Sequence, residues 1–529
     1  MTASSDSITP GRLPRGVPGR TLALFLVFVA GAAGSVWGLA HLRGRLAFES
    51  FRVEEIPVER VRPEGREPRI HFLLLHGYGA NRRHLLHLAE VLAAAGGDVF
   101  LMDLPGRGDH SGRVTPRPPG GFTAIMRTPR EAGAALAVAR HLEKQFGIRP
   151  ERLVVVGHSL GGGVALDVAR QMKAAAVVSL AGLERRVAPG DPPNPLFITA
   201  RLEIPDLRRA ADRMHARAQG GRVARLEFLA THSSLPFHPS VQRTIVNWAS
   251  RAVPGAGLSL PPRFNEWLLA LEAAGLFFLA GLFLLLTGLA GWALQPEPLG
   301  EVAPETRFTS WSPLHLFGYG LLAGGAGVSA LHLLRFFAVP YPLAFLRLDG
   351  GGYLASLLLL STLWLLPALR QRPWVRSRRE VAAKTGAAVL LAVYVIFAGG
   401  GFVTWQLFDL WPTFGRFGKM LVLVPILLPF ALGEELLGRT YAKAPRSPSA
   451  FDAFLAWRLA LFAGIVYGAL VLGSGEQMLV VMAIPLLGLS LLEYFFAAAL
   501  YRTLWSAYAG AVLKTLLLAW ILATLFPLQ

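Results

Sequence analysis

The sequence predicts two architectures in one chain: an α/β domain on a mostly parallel sheet with helices on both faces, then an all-α polytopic transmembrane domain. Three observations carry this. Residues 43 to about 263 alternate short apolar runs with helix-period segments, the pattern of a parallel sheet covered on both sides. Beyond them come about eight successive apolar stretches, each long enough to cross a bilayer. Composition agrees: 53% of the 529 residues are hydrophobic and only 16% charged, with a mean hydropathy of +0.45. Soluble domains carry about a quarter charged residues.

The formal net charge is +18, contributed mostly by arginine. No helix or loop concentrates these cations with interleaved aromatics, so no nucleic-acid partner is expected. They lie in short loops beside apolar segments, where they set topology and meet anionic lipid; the bilayer is the expected partner. The chain has no cysteine, which excludes disulfides, thiolate metal sites and a cysteine nucleophile. No metal or cofactor is expected.

Residues 1–20 are polar, and the run from Thr21 to about Leu42 is long enough to span. Small residues at Ala30–Ser35 could resemble a signal cleavage region, but the apolar run continues past them, so an uncleaved anchor is expected. The boundaries that follow are 1–45 for a cytoplasmic N-terminus and anchor, 46–255 for the α/β domain, and 256–529 for the membrane domain. Within the α/β domain, strands are expected at Ile70–Leu75, Val99–Leu104, Leu153–Val156, Ala175–Leu180, Leu196–Ala200 and Arg225–Ala230. Helical spacing occupies Arg83–Ala95, Glu131–Phe146 and about Gly161–Met172.

The later spans are expected near 267–294, 313–337, 353–370, 385–409, 419–438, 452–473, 477–500 and 504–527. With the N-terminus inside, the loops Arg370–Lys384 and Arg439–Arg446 fall on the cytoplasmic side and carry most of the loop arginines. One loop dissents, since the acidic Gln295–Ser312 falls inside as well. The balance places the α/β domain on the extracytoplasmic side.

The strongest chemical signal is Gly157-His158-Ser159-Leu160-Gly161, between a strand and a helix. A serine hydroxyl is a poor nucleophile until it is presented to a base. Gly-x-Ser-x-Gly permits the sharp turn that lifts the serine above the sheet, because bulkier residues than Gly157 and Gly161 would clash there. The following helix N-terminus favours developing negative charge.

With this turn, His76-Gly77-Tyr78-Gly79 and Asp103-Leu104-Pro105-Gly106-Arg107-Gly108, the segment 68–252 resembles the α/β-hydrolase superfamily. The resemblance implies an oxyanion hole from the backbone N–H groups of Tyr78 and Leu160, with Gly77 in the oxyanion loop. It also implies a triad in chain order serine, acid, histidine. The acid would follow the strand Leu196–Ala200, where Glu203 stands at the family's usual aspartate and Asp206 is the alternative. The histidine would follow the last strand, which selects His232; His238 lies farther on, and His110 sits in the loop after Asp103. The reaction implied is acyl transfer to water through an acyl-Ser159 intermediate.

Only fifteen residues, 181–195, separate the strands Ala175–Leu180 and Leu196–Ala200, leaving no room for the helical lid that many relatives insert. Ester, thioester or amide hydrolysis is the implied class. Tethering at both ends keeps the domain beside the bilayer, which makes lipids, lipoproteins or acylated envelope components candidate substrates.

Five ionisable residues fall in the later spans: Glu434, Glu435, Arg458, Glu493 and Lys514. Glu434-Glu435-x-x-x-Arg439 resembles a motif of the prenyl-protein (CAAX) endopeptidase family, over about one helix. No histidine follows Glu435, so that family's histidine motifs are not met. A structural ion pair or snorkelling at span ends is expected for these charges, with Glu434 and Glu435 near the cytoplasmic end, where snorkelling is easy. Lys514 lies mid-span and needs a partner or a watery cavity; Glu493 is the candidate partner. A transporter or membrane scaffold with a regulatory or inactive hydrolase domain is the alternative reading.

Overall fold

The computed structural model describes residues 18–110, 129–219, 222–294, 313–346, 348, 351–370, 378–406, 410–411, 413–441, 449–470 and 477–526. The expected anchor forms α1 (Pro18–Arg43), which enters the α/β domain directly through β1 (Leu46–Val53). β1 and β2 (Ile56–Pro63) make an antiparallel hairpin with Val53 opposite Ile56 and Glu54 at φ 55° in the turn. The sequence pattern did not reveal this hairpin. It alternates apolar residues with Glu49, Arg60 and Arg62, which pair across the strands, so it lacks the continuous apolar run of a buried strand.

The remaining strands are β3 (His71–Leu75), β4 (Asp98–Met102), β5 (Leu153–His158), β6 (Ala176–Leu180), β7 (Pro195–Leu202) and β8 (Ala224–Thr231). Among the described residues the sheet has eight strands in the order β1-β2-β4-β3-β5-β6-β7-β8, parallel from β4 to β8. β3 to β6 are buried nearly throughout because helices cover both faces. Successive residues feed opposite cores, as period 2 requires. Phe72 and Leu74 face α2 (Leu86–Ala94) and α6 (Pro239–Ala252). Leu73 and Leu75 face α3 (Pro129–Phe146), α4 (Leu160–Met172) and α5 (Pro205–Arg217). β6 passes to β7 through residues 181–194, which hold a short turn and no lid helix.

The helical region comprises α7 (Phe264–Leu294), α8 (Pro313–Phe336), α9 (Gly351–Leu369) and α10 (Arg378–Tyr394). α10 continues through a π-helical turn, Val395–Gly399, into α11 (Gly400–Gln406). α12 (Phe414–Tyr441), α13 (Ser449–Leu470), α14 (Gln477–Leu504) and α15 (Ala507–Leu525) complete it. Seven helices among the described residues are long and apolar enough to cross a membrane: α1, α7, α8, α9, the α10–α11 unit, α12 and α15. Of α13, the described stretch Phe454–Tyr467 is apolar. The first residues of α14 have side chains outside the described set. Close packing rests on small residues, as where Gly324 of α8 meets Gly464 of α13.

Two sequence expectations fall outside the described residues. They are the polar N-terminus before Pro18 and most of the loops, 295–312, 371–377 and 442–448, on which the orientation argument rests.

The two regions share packing. Leu39 of α1, Phe264 and Leu268 of α7, and Phe402 of α11 are buried in the same core as α2 and α6. Polar contacts reinforce it: Arg43 pairs with Glu90 of α2 at 2.7 Å, both buried. His87 of α2 places Nδ1 3.2 Å from Glu272 and Nε2 2.7 Å from Asn265 Oδ1, both on α7. Burial works against a charged ring there, but Glu272 prevails and raises the His87 pKa.

Candidate active site

Ser159 stands between β5 and α4 at φ 55°, ψ −117°, a region that costs a non-glycine residue energy. Its N–H donates to Leu180 O at 2.8 Å, and its carbonyl accepts from Gly162 at 3.0 Å and Leu183 at 3.2 Å. The turn closes because its neighbours lack side chains. A Cβ at Gly157 would overlap the Gly161 carbonyl, and one at Gly161 would overlap the Leu75 carbonyl. Gly77 lies against this turn, since a Cβ there would sit 3.2 Å from the Ser159 Cβ. Tyr78 follows in the loop after β3, and Leu160 opens α4, where the first N–H groups have no intrahelical acceptor.

Glu203 follows β7 just past an irregularity in register between Ala200 and Leu202, which re-aims the chain. Its Oε2 accepts from His232 Nδ1 at 2.8 Å, with Glu203 7% and His232 6% exposed. Its other oxygen accepts from the Ile204 N–H at 3.0 Å. Asp206 belongs elsewhere. It sits in the first turn of α5, exposed and paired with Arg209. His232 opens the turn His232–Phe237 after β8, held by a reciprocal Thr231–Ser234 cap. His238 caps α6 and lies 5.7 Å from the Phe228 ring. His110 remains partly exposed beyond the β4 loop.

Several contributors were not singled out in the sequence. His158 donates from Nε2 to the His232 carbonyl at 3.0 Å, and the two rings are 4.8 Å apart. Its Nδ1 is buried without a hydrogen bond, and burial, then the His232 charge, holds its pKa well below the usual value. His84 lies 5.3 Å from His158, its pKa lowered by burial to about 4. His76 accepts from the Leu104 N–H at Nε2 (2.9 Å), so Nδ1 carries the proton and donates to Gly77 O at 2.8 Å. Burial lowers the His76 pKa to about 3. Arg107 reaches across to Tyr78 O at 2.7 Å and lies 4.8 Å over its ring, which fixes the loop after β3. A histidine inside Gly-x-Ser-x-Gly and an arginine inside the Asp103–Gly108 loop were the available signals.

The charged groups in the later helices form a second cluster, in which ion pairing replaces snorkelling and the expected partner of Lys514 changes. Glu434 and Glu435 do not snorkel; they are 4% and 2% exposed. Lys514 reaches Glu435 at 2.5 Å and Glu434 at 3.2 Å, rather than Glu493. Arg458 grips Glu434 and lies 3.3 Å from Ser490 and 3.6 Å from Glu493. The pairing joins α12, α13, α14 and α15, an adjacency that helix-by-helix reading cannot supply. The Arg439 side chain, third element of the Glu434–Glu435 motif, lies outside the described residues.

Residues 66–202 match the family described as serine aminopeptidase, S33 (Hydrolase_4). With the sheet order above, this makes the first region an α/β-hydrolase domain. No curated protein matches the chain. Among solved structures, a Thermus thermophilus protein is 18% identical with a TM-score of 0.33, covering 40% of this chain and 99% of its own. An esterase/lipase from an uncultured bacterium is 17% identical with a TM-score of 0.31, covering 47% and 93%. A Pyrobaculum calidifontis esterase is 15% identical with a TM-score of 0.32, covering 46% and 96%.

Proposed function

We propose that this α/β-hydrolase chain is a membrane-bound serine hydrolase that cleaves ester or thioester bonds, lipid-borne ones included, through an acyl-Ser159 intermediate. The observation that carries the reading is the buried 2.8 Å bond from His232 Nδ1 to Glu203. It holds the imidazole with Nδ1 protonated, leaving Nε2 as the base. Ser159 Oγ bonds to the acyl carbonyl carbon while its proton passes to His232 Nε2. The carbonyl π pair moves onto oxygen, which the N–H groups of Tyr78 and Leu160 receive. Collapse breaks the bond to the alcohol or thiol, which leaves with the proton from His232. Water then repeats the sequence and returns Ser159 with a free acid.

The matched family's description names an aminopeptidase, so amides belong in the substrate panel. Placement supports ester-bearing lipids: two candidate spans, α1 and α7, flank the domain in sequence and pack into its core. The catalytic domain lies outside the cytoplasm in this reading. One cysteine introduced into the cysteine-free chain and probed with an impermeant thiol reagent checks that; labelling only after cell lysis reverses the orientation.

The primary test is fluorophosphonate labelling of membranes holding wild type, Ser159→Ala and His232→Ala. Labelling of wild type alone is expected. A folded wild type that takes no label removes the enzyme reading in favour of a scaffold or transporter built around the buried cluster of α12–α15.

A further inference from the structure

Between α1, α7 and α11 runs a furrow of ≈ 440 Å³, a size typical of small-molecule sites. Its walls combine small residues, Ala32 and Ala33 of α1, Gly275 of α7, and Ala398 and Gly401 around the π-helical turn, with larger apolar ones such as Leu279. Trp411, half-exposed, closes one side. π-turns of this kind are costly interruptions that concentrate at functional sites. Here the turn sets Ala398 and Gly401 on the wall without a bulky side chain between them.

We propose that this furrow holds the acyl chain of a membrane-borne ester while its carbonyl is presented to Ser159; the inference rests on the hydrolase reading above. The medium names the occupant. The helices that form the furrow are apolar enough to span, and α1 and α7 carry exposed Leu26, Val27, Trp37 and Phe277 on their outer surfaces. An apolar cleft at that level is bathed in hydrocarbon chains. Position connects it to the catalytic end. Phe402, which lines the furrow, is also buried in the hydrolase core. α11 packs on the turn Arg82–Leu85, which carries His84, and α14 packs on the turn that begins with His232. From Glu272, one turn before Gly275, a run of contacts leads to His87, Phe237 at 5.7 Å, His84 at 5.4 Å and His158 at 5.3 Å. The helical region thus packs on the turns that carry His84 and His232, and in this proposal it supplies the acyl groove.

The full chain is reconstituted in phosphatidylethanolamine–phosphatidylglycerol vesicles, and kcat/KM is measured on p-nitrophenyl palmitate and butyrate. Ala33→Leu and Ala398→Leu, on opposite walls, are each expected to lower the palmitate-to-butyrate ratio at least ten-fold. Leu24→Ala, exposed on α1 outside the furrow, keeps the wild-type ratio. An unchanged ratio in both furrow variants overturns the proposal. A second measurement needs no turnover: Ser159→Ala protein is irradiated with a diazirine-bearing palmitoyl phospholipid. Cross-links to α1 and α11 that disappear with Ala398→Leu are expected; their absence overturns the furrow even where fluorophosphonate labels Ser159. Cross-links without fluorophosphonate labelling overturn the delivery to Ser159 and the hydrolase reading together. Disulfide-linked dimers of Ala33→Cys would instead put a second copy in the furrow, and overturn the lipid assignment.

Discussion

Glu203 and Asp206 are three residues apart, yet only Glu203 is buried against His232, while Asp206 faces solvent beside Arg209. Glu203→Gln keeps the shape but removes the charge that holds the imidazole tautomer, so kcat should fall roughly 10³–10⁴-fold. Asp206→Asn should stay within two-fold of wild type, because an exposed i,i+3 pair contributes little. Steady-state ester hydrolysis by both variants separates them, and equal losses would remove Glu203 from its role. The surrounding histidines set a pH limit. His76 and His84 have native pKa values lowered to about 3 and about 4 by burial. Below their ordinary value of 6.5 the unfolded chain binds protons that the native chain does not. Stability is therefore complete above about pH 6.5 and declines as pH falls toward 4, at about 1.4 kcal/mol per unit for each ring. Thermal unfolding of the detergent-purified chain should show this fall, and His84→Phe should make it shallower. An equal slope in that variant would mean His84 titrates normally. Ser159, Glu203 and His232 could be singled out in the sequence because each follows a strand, in the serine–acid–histidine order that the family resemblance implies. The histidine cluster was not, since three-dimensional burial makes those rings neutral.

At the level of elements, the same distinction appears. β3 to β8 were readable as apolar runs, whereas the β1–β2 hairpin hides its pairing in the alternation of Glu49, Arg60 and Arg62. α5 was missed for a related reason: its sequence is dominated by arginine, with only Leu207, Ala210, Ala211 and Met214 turned inward. In the helical region the spans were legible by length, but their neighbours were not. Lys514 on α15 and Glu435 on α12 meet only once the helices are packed together, at 2.5 Å and almost wholly buried. Removing one charge strands the other. Lys514→Met should cost about 3–5 kcal/mol, and the double variant with Glu435→Gln should recover part of it. Denaturant unfolding in mixed micelles reads both; a double variant no better than the single would show that Glu434 dominates the pairing.

The whole molecule is held together across the line that divides its two compositions. A boundary near residue 255 follows from the change in hydropathy, but packing ignores it. Leu39, Phe264, Leu268 and Phe402 enter the core shared with α2 and α6, and α2 turns Glu90 and His87 toward Arg43 and Glu272. An excised fragment of residues 46–255 would therefore expose apolar surface normally covered by α1, α7 and α11. It would also leave Glu90, fully buried in the intact chain, without its arginine. Burying one large apolar side chain stabilises by about 1.5–3 kcal/mol, against a typical domain stability of about 5–15 kcal/mol. The fragment should aggregate or unfold at least 10 °C below the intact chain. A fragment extended to residues 18–294, which restores α1 and α7, should recover most of that loss in detergent. Differential scanning fluorimetry of the two fragments decides it. A soluble 46–255 fragment with the intact chain's melting temperature and fluorophosphonate reactivity would make the helices a mere tether. The expected loss instead makes α1 and α7 part of the α/β-hydrolase core, so that the fold of that domain and its seating on the apolar helices are one structural event.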